Sequence, residues 1–172
     1  NYGVVQLDGV SANLSGGAID NLGSIQGRGN VGNAINNDGA IEALGGTLTL
    51  GGMLTNSYSG LVSASAGNKV LVSSGLAVND GILNLTGGTF DNNGYALDND
   101  GQISGHGILR AGGLTNDGSV TLTGGSTTVN GNVTNSAGRT IEAIGDAVLF
   151  TGNVTNFGLF KNTGASVTFA AT

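Results

Sequence analysis

Acidic side chains at a repeated turn position are the first candidates for chemistry in this sequence. Asp80, Asp100 and Asp117 each stand between an asparagine and a glycine, 20 and 17 residues apart. Carboxylates stacked in this way could be bridged by a hard cation such as Ca²⁺, which prefers oxygen ligands. The calcium-binding repeat Gly-Gly-x-Gly-x-Asp is absent. We therefore expect ordinary turn residues and no cofactor, with Ca²⁺ kept as the weaker hypothesis.

Paired carboxylates that cleave glycosidic bonds would be a second kind of chemistry. The two carboxyl groups of such a pair lie within about 5–10 Å of each other. Glu42 and Glu142 share one sequence context, Ile-Glu-Ala, but about five repeats of the chain separate them. At ~4.8 Å per stacked repeat, this separation is ~24 Å. We predict that the chain has no catalytic residues and is not an enzyme.

His106 and one glycine motif offer little more. His106 is the single histidine and cysteine is absent, so neither a thiolate metal site nor a histidine pair can form. Residues 27–32 match Gly-x-Gly-x-x-Gly, a match expected about once by chance when 34 of 172 residues are glycine. A formal net charge of −6 argues against nucleic-acid binding, and no apolar run has the length of a membrane span.

The elements that would position these side chains are repeats that begin with asparagine. Neighbouring anchor asparagines are 20, 16, 19, 23, 20, 17, 19 and 21 residues apart, which is 155 residues over eight intervals and a mean of 19.4. This period, with local alternation of apolar residues, predicts an all-β, right-handed parallel β-helix, or β-solenoid. We expect a single solenoid over residues 1–172, with about nine coils and no helices. The anchors, predicted to form an internal ladder of side-chain amides, are Asn1, Asn21, Asn37, Asn56, Asn79, Asn99, Asn116, Asn135 and Asn156.

Two apolar columns set the expected register of the coils, one two residues before each anchor and one about four residues after it. The first column contains Ile19, Ile35, Leu54, Ala77, Leu97, Leu114, Val133 and Val154. The second column contains Val5, Ile25, Ile41, Leu61, Leu83, Ile103, Val120, Ile141 and Phe160. The glycines of Asn-x-Gly and of Gly-Gly are expected at turns that need a positive φ.

The repeat unit is Asn-x-Gly-x-Ile-x-Ala-x-Gly-Gly-x-Leu-x-Leu-x-Gly-x-Leu-Thr-Asn, clearest at 37–55 and 116–134. It resembles the repeats of bacterial surface proteins of the filamentous-haemagglutinin and autotransporter-passenger type, and the resemblance covers the whole chain. It implies a right-handed β-helix, export from a bacterium, an extracellular or cell-surface location, and a role as adhesin, stalk or fibre. No active-site residues of the family carry over.

Apolar side chains at both ends predict how the chain assembles. The predicted interface residues are Tyr2, Val5, Phe157, Phe160 and Phe169. Thr172 joined to Asn1 would recreate the Thr-Asn junction that closes several coils. We therefore expect head-to-tail stacking into a homopolymeric filament, a contact that does not close on itself. A slice of a longer passenger, flanked by similar repeats, would have the same ends.

Two alternative functions remain open. The first is an adhesin that binds glycans or cell surfaces through the longest coil, residues 56–78, where Tyr58 and Lys69 are the side chains suited to binding. The second, more distant, is a carbohydrate-active β-helix enzyme. Close carboxylates would favour catalysis, and a basic or aromatic groove would favour binding.

Overall fold

The computed structural model describes residues 1–170, which form stacked coils of parallel strands. These residues contain no helix, and so none with the length and apolarity to cross a membrane. The prediction of an all-β parallel solenoid is confirmed. The predicted junction at Thr172 lies outside the described residues.

The strands differ widely in length along the chain. They are β1 (Val4–Leu14), β2 (Ile19–Asn21), β3 (Ser24–Val31), β4 (Ile35–Asn37), β5 (Ala40–Leu50), β6 (Leu54–Asn56), β7 (Leu61–Ser65), β8 (Lys69–Val72), β9 (Val78–Asn79), β10 (Ile82–Asp91), β11 (Ala96–Asn99), β12 (Gln102–Asn116), β13 (Ser119–Asn135), β14 (Thr140–Ile144), β15 (Ala147–Phe150), β16 (Val154–Asn156), β17 (Leu159–Thr163) and β18 (Ser166–Phe169). The longest strands pair with the shorter strands of neighbouring coils, so each coil has three pairing segments.

Parallel pairing of these segments builds three stacked faces. Face A contains residues 4–8, 24–28, 40–43, 61–64, 82–85, 102–105, 119–122, 140–143 and 159–162. Face B contains residues 13–14, 29–31, 47–50, 69–72, 89–91, 108–110, 127–129, 148–150 and 167–169. Face C contains residues 19–21, 35–37, 54–56, 78–79, 97–99, 114–116, 133–135 and 154–156.

The number of coils is slightly lower than predicted. Nine anchor asparagines delimit eight complete turns, and the chain after Asn156 adds only β17 to face A and β18 to face B among the described residues. The prediction of nine coils was one too high because the last anchor opens a partial coil.

The core is one continuous column of inward-facing apolar side chains. Alternation along each strand points every second residue inward, and stacking aligns like positions of successive coils. The predicted column after the anchors is confirmed except in the coil at 56–78. There two extra turn residues shift the register, so that Val62 is buried in line with Ile41 and Leu83 while Leu61 faces outward.

The column before the anchors needs the same kind of correction. The prediction that Ala77 fills this column was wrong, because its side chain is exposed and the buried Leu76 takes the place in the core. The backbone of Ala77 still follows the ladder, with its carbonyl oxygen accepting a hydrogen bond from the N–H of Asp98 at 2.9 Å. The longer loop that leads into face C allows this one-residue offset.

The glycines of Asn-x-Gly have a different role from the predicted one. Some Gly-Gly pairs do use positive φ, as at Gly45 and Gly46 with φ of 72° and 146°, whereas the pairs at 51–52 and 112–113 do not. The glycines two residues after an anchor asparagine, such as Gly101, do not adopt positive φ. At Gly101 a Cβ atom would overlap the carbonyl oxygen of Gly81 in the preceding coil. Glycine is required there because two backbones approach closely, not because of the turn conformation.

Candidate functional site

The anchor asparagines form a continuous ladder of side-chain amides inside the corner between faces C and A. Each Nδ2 donates a hydrogen bond to the Oδ1 of the anchor in the next coil, and the eight bonds measure 2.7–3.0 Å. The interior anchors are fully buried, whereas Asn1 is half-buried and Asn156 is exposed. The predicted ladder is present in all nine positions.

The ladder has a direction. The Nδ2 of Asn21, for example, donates to Asn37 Oδ1 at 2.7 Å and also to the backbone carbonyl of Ala40 at 3.0 Å. A carbonyl oxygen can only accept, so this second bond identifies the nitrogen of each amide. Seven more anchors repeat the arrangement, which places every donor toward the C-terminal end of the solenoid and every acceptor toward the N-terminal end.

The C-terminal end of the solenoid is an open aromatic surface. Phe150, Phe160 and Phe169 form a cluster with ring centroids 5.4–5.9 Å apart. Phe150 is buried, but Phe169 remains 51% exposed and Phe157 68% exposed. An open hollow of about 580 Å³ lies beside Phe160 and Phe169. These phenylalanines are among the last apolar side chains of the described residues, and two of them, Phe157 and Phe169, face solvent.

The N-terminal end is also an open apolar surface, but it has less aromatic bulk. A shallow hollow there is lined by Val5, Leu14 and Ile19, with Tyr2 at its edge. The Tyr2 side chain is 87% exposed. The structure therefore places the predicted interface residues Tyr2 and Val5 at one end and Phe157, Phe160 and Phe169 at the other.

The acidic row lies on the outside of the same corner. Asp80 and Asp100 are exposed and Asp117 is half-exposed. Each occupies the same turn position, with its backbone N–H bound to the carbonyl oxygen of the anchor in the preceding coil at 2.9–3.1 Å. Residues 1–170 contain no group of three or more histidine, cysteine or acidic side chains that could hold a metal ion. The weaker Ca²⁺ hypothesis for these residues stays a prediction.

A surface groove runs along this corner between two longer turns. The coils that start at Asn56 and Asn135 each insert two residues into the Asn-x-Gly turn, and these insertions carry Tyr58 and Arg139. Between them, Asp80, Asp100, Gln102 and the glycines of three coils line the groove. Tyr58 is 89% exposed. The groove thus combines an exposed aromatic ring with charged and polar side chains, which are the features expected of a ligand-binding surface.

Lys69 belongs to a different part of the surface. It lies on face B, where its Nζ is 3.7 Å from Asp91 Oδ2, and Arg110 Nη1 approaches the same oxygen at 3.2 Å. The structure therefore does not bring Lys69 and Tyr58 into one site. Asp91 is largely buried between two cations from neighbouring coils, which makes this a cross-coil ion-pair row.

Asn92 is a buried asparagine outside the ladder that the anchor spacing does not predict. Asn92 Oδ1 accepts a hydrogen bond from the N–H of Leu76 at 2.6 Å, and its Nδ2 donates to the carbonyl oxygen of Leu76 at 3.0 Å. It thus connects the irregular loop before face C to the next coil. The only sequence signal is the Asn-Asn-Gly at 92–94, which resembles an anchor but is out of phase with the repeat.

The residues considered for catalysis remain apart. Stepwise pairing through Ser63, Asn84, Ser104 and Thr121 puts Glu42 and Glu142 in one row, five coils apart as predicted.

Glu142 instead has a cationic partner in the next coil. Lys161 Nζ lies 2.7 Å from Glu142 Oε1, and this hydrogen bond is the main cause that lowers the pKa of the carboxyl group. His106 lies over Gly124 and Gly125 at a corner.

Comparison with protein-family models, curated proteins and solved structures yields no match for this chain. The family resemblance read from the repeats therefore stays a prediction.

Proposed function

We propose that this chain is a structural segment of an extracellular bacterial fibre, built by end-to-end stacking of β-solenoid coils in the head-to-tail sense. The observation that carries the proposal is that the solenoid has apolar core side chains exposed at both ends. A coil buries its apolar positions only against another coil, so the exposed apolar side chains of each end surface are suited to stacking against a further coil. The partner that fits is a second copy of the same solenoid.

The energetics favour covering these ends. Burial of one large apolar side chain contributes about 1.5–3 kcal/mol. Phe157, Phe160 and Phe169 at one end and Tyr2 and Val5 at the other offer several such gains in one contact.

Strand edges add a second attraction. Among the described strands β1 pairs only with β3, and β17 only with β14. Edges of this kind are templates for pairing with another chain.

Sedimentation velocity and electron microscopy of the purified chain test this proposal. We expect concentration-dependent association into rods longer than one solenoid. Phe169→Ser should weaken association by about tenfold or more, since 1.4 kcal/mol is a factor of ten. Tyr58→Ser is the matched control, because Tyr58 is exposed but lies on the side of the solenoid. A chain that stays monomeric at high concentration, without fibres, would remove the proposal.

The groove between Tyr58 and Arg139 supports a second candidate, an adhesin that binds glycans. An exposed aromatic ring can stack on a sugar ring, and Asp80, Asp100 and Gln102 can exchange hydrogen bonds with its hydroxyl groups. Glycan-array binding followed by titration calorimetry tests this function. Tyr58→Ala should abolish binding, whereas Tyr95→Ala, which removes an exposed ring outside the groove, should not.

A further inference from the structure

We propose that the asparagine ladder continues across the junction between two copies and selects one stacking arrangement, in which Asn156 of one copy donates to Asn1 of the next. This inference rests on the proposed end-to-end assembly and adds to it the polarity and the rotational register. The single amide–amide hydrogen bond at the junction would then distinguish this stacking arrangement from the others.

The apolar end surfaces alone do not select an arrangement. A coil with three faces can be placed on another in three rotations, and it can be approached by the like end or by the unlike end. Strand edges pair in parallel or antiparallel fashion, so backbone hydrogen bonds also tolerate more than one solution. Hydrophobic burial is non-directional and adds no preference.

The ladder ends are complementary in only one sense. At the N-terminal end, Asn1 Oδ1 accepts only a 3.2 Å bond from the N–H of Gly3 in the described structure, although every interior anchor Oδ1 accepts from a preceding anchor. At the C-terminal end, Asn156 Nδ2 donates to its own-coil Gly158 carbonyl at 3.0 Å, and no described coil follows. One end thus presents an acceptor and the other a donor.

Other arrangements would bury these amides without partners. Contact between like ends faces oxygen with oxygen or NH₂ with NH₂, and a rotated contact places the amide against the rows of another face. Interior anchors are fully buried, so a mismatched amide would be desolvated as well. Leaving one buried polar group unsatisfied costs about 1–3 kcal/mol, and a junction buries two.

Two steric relations agree with the same register. A Cβ on Gly23 would overlap the carbonyl oxygen of Gly3. The later glycines that follow an anchor in Asn-x-Gly each overlap a carbonyl oxygen of the preceding coil in the same way, namely Gly39, Gly81, Gly101, Gly118 and Gly158. In the proposed stacking Gly3 therefore lies against the carbonyl oxygen of Gly158 in the other copy. One row of face B runs from Phe169 at the C-terminal end to Gly29 and the neighbouring Ala12 at the N-terminal end. In the proposed stacking the large Phe169 of one copy therefore faces the small Ala12 of the next.

Disulfide trapping tests polarity and register directly, because the chain has no cysteine of its own. Gln6 begins and Lys161 ends one row of face A, so the proposed stacking places them side by side across the junction. Neighbouring strands lie ~4.8 Å apart, a Cα separation that a disulfide can bridge. The double variant Gln6→Cys/Lys161→Cys should form a series of disulfide-linked oligomers on a non-reducing gel.

The two single variants are the controls. Lys161→Cys alone should link only if C-terminal ends meet, and Gln6→Cys alone only if N-terminal ends meet, so both should remain unlinked. Linked dimers of either single variant would overturn the inference while leaving end-to-end assembly intact. Fibres of the double variant without disulfides would overturn the register. Absence of association in the unmodified chain would overturn the proposed function, and this inference with it.

Two further variants separate the ladder from general folding. Asn156→Asp keeps the oxygen that accepts from Asn135 but loses the forward donor, so it should weaken association at least about tenfold.

Gly3→Ala should block association while leaving the monomer as stable as before, because nothing lies within 4 Å of a Cβ there in the single chain. Gly17→Ala, equally open in the same coil, should assemble normally. Normal assembly of Gly3→Ala would contradict the proposed register.

Discussion

The interior coils and the two end coils have the same sequence motifs but not the same surroundings. Asn99 and Asn156 are both anchors, yet the first is fully buried and the second is exposed. Gly101 lies against a carbonyl oxygen of the preceding coil, whereas Gly3 has open space beside it. The comparison teaches that a motif in a solenoid acts through the interface between coils rather than within one coil.

The largest expected effect distinguishes a buried from an exposed aromatic ring in the same cluster. Phe150→Ala should lower the free energy of unfolding by about 3–5 kcal/mol, because it leaves a cavity in a closed part of the core. Phe169→Ala should cost clearly less, since half of that side chain is already in water. Urea denaturation at a protein concentration that keeps the chain monomeric measures both. Equal losses would show that the end coil is as closely packed as the interior.

A glycine at the same motif position should behave oppositely in the interior and at the end. Gly101→Ala should destabilise the chain by about 3 kcal/mol, the upper range for overpacking, because backbone atoms must move apart. Gly3→Ala should leave the thermal midpoint of the monomer within about 1 °C, because nothing lies within 4 Å of the added Cβ. A destabilisation of about 1 kcal/mol would shift the midpoint by several degrees and would be detected. Circular dichroism melting curves of the two variants test this contrast. An unchanged melting temperature for Gly101→Ala would show that the close approach of the two backbones does not select glycine at this position.

Removal of an anchor should have a smaller effect that again depends on position. Asn99→Ala deprives Asn79 of an acceptor and Asn116 of a donor inside the core, and should cost about 2 kcal/mol. Asn156→Ala removes one bond at an exposed end, where water replaces the lost partner, and should cost less than about 1 kcal/mol. Hydrogen exchange of the flanking amides, measured alongside denaturation, would locate the loosened coil. Similar losses at both positions would argue against a buried, water-free ladder.

The smallest effect concerns the ion pair that attaches the last coil. Lys161 lowers the pKa of Glu142, so the pair contributes stability above the unfolded-state pKa of Glu142, and this contribution is lost as the pH falls through the folded-state value. Lys161→Met should raise the pKa of Glu142 toward its ordinary value in an NMR titration. Lys69 pairs with Asp91 and not with Glu142, so Lys69→Met should leave the titration of Glu142 unchanged. If the pKa of Glu142 is the same in Lys161→Met, the lowered pKa has a cause other than Lys161.

The regular coils were predictable, and of the two coils with insertions the one at 135–155 was also predicted correctly while the one at 56–78 was not. The anchors from Asn1 to Asn156 all fall where the spacing puts them, because each must hydrogen-bond to the next. In the coil at 56–78, counting residues selected Leu61 and Ala77 in place of Val62 and Leu76. An inserted turn changes which residues point inward, and nothing local to Leu61 reports how many residues the turn absorbs.

The sequence by itself determined the period, the parallel solenoid class and the identity of the ladder residues, because these follow from a pattern repeated along the whole chain. Only the tertiary structure decided what the repeated positions do. It showed that Gly101 is required by a neighbouring backbone and that the amides of Asn21 and Asn37 point one way along the solenoid. Both facts arise from contacts between residues about one coil apart in sequence, and a single repeat read alone does not contain them.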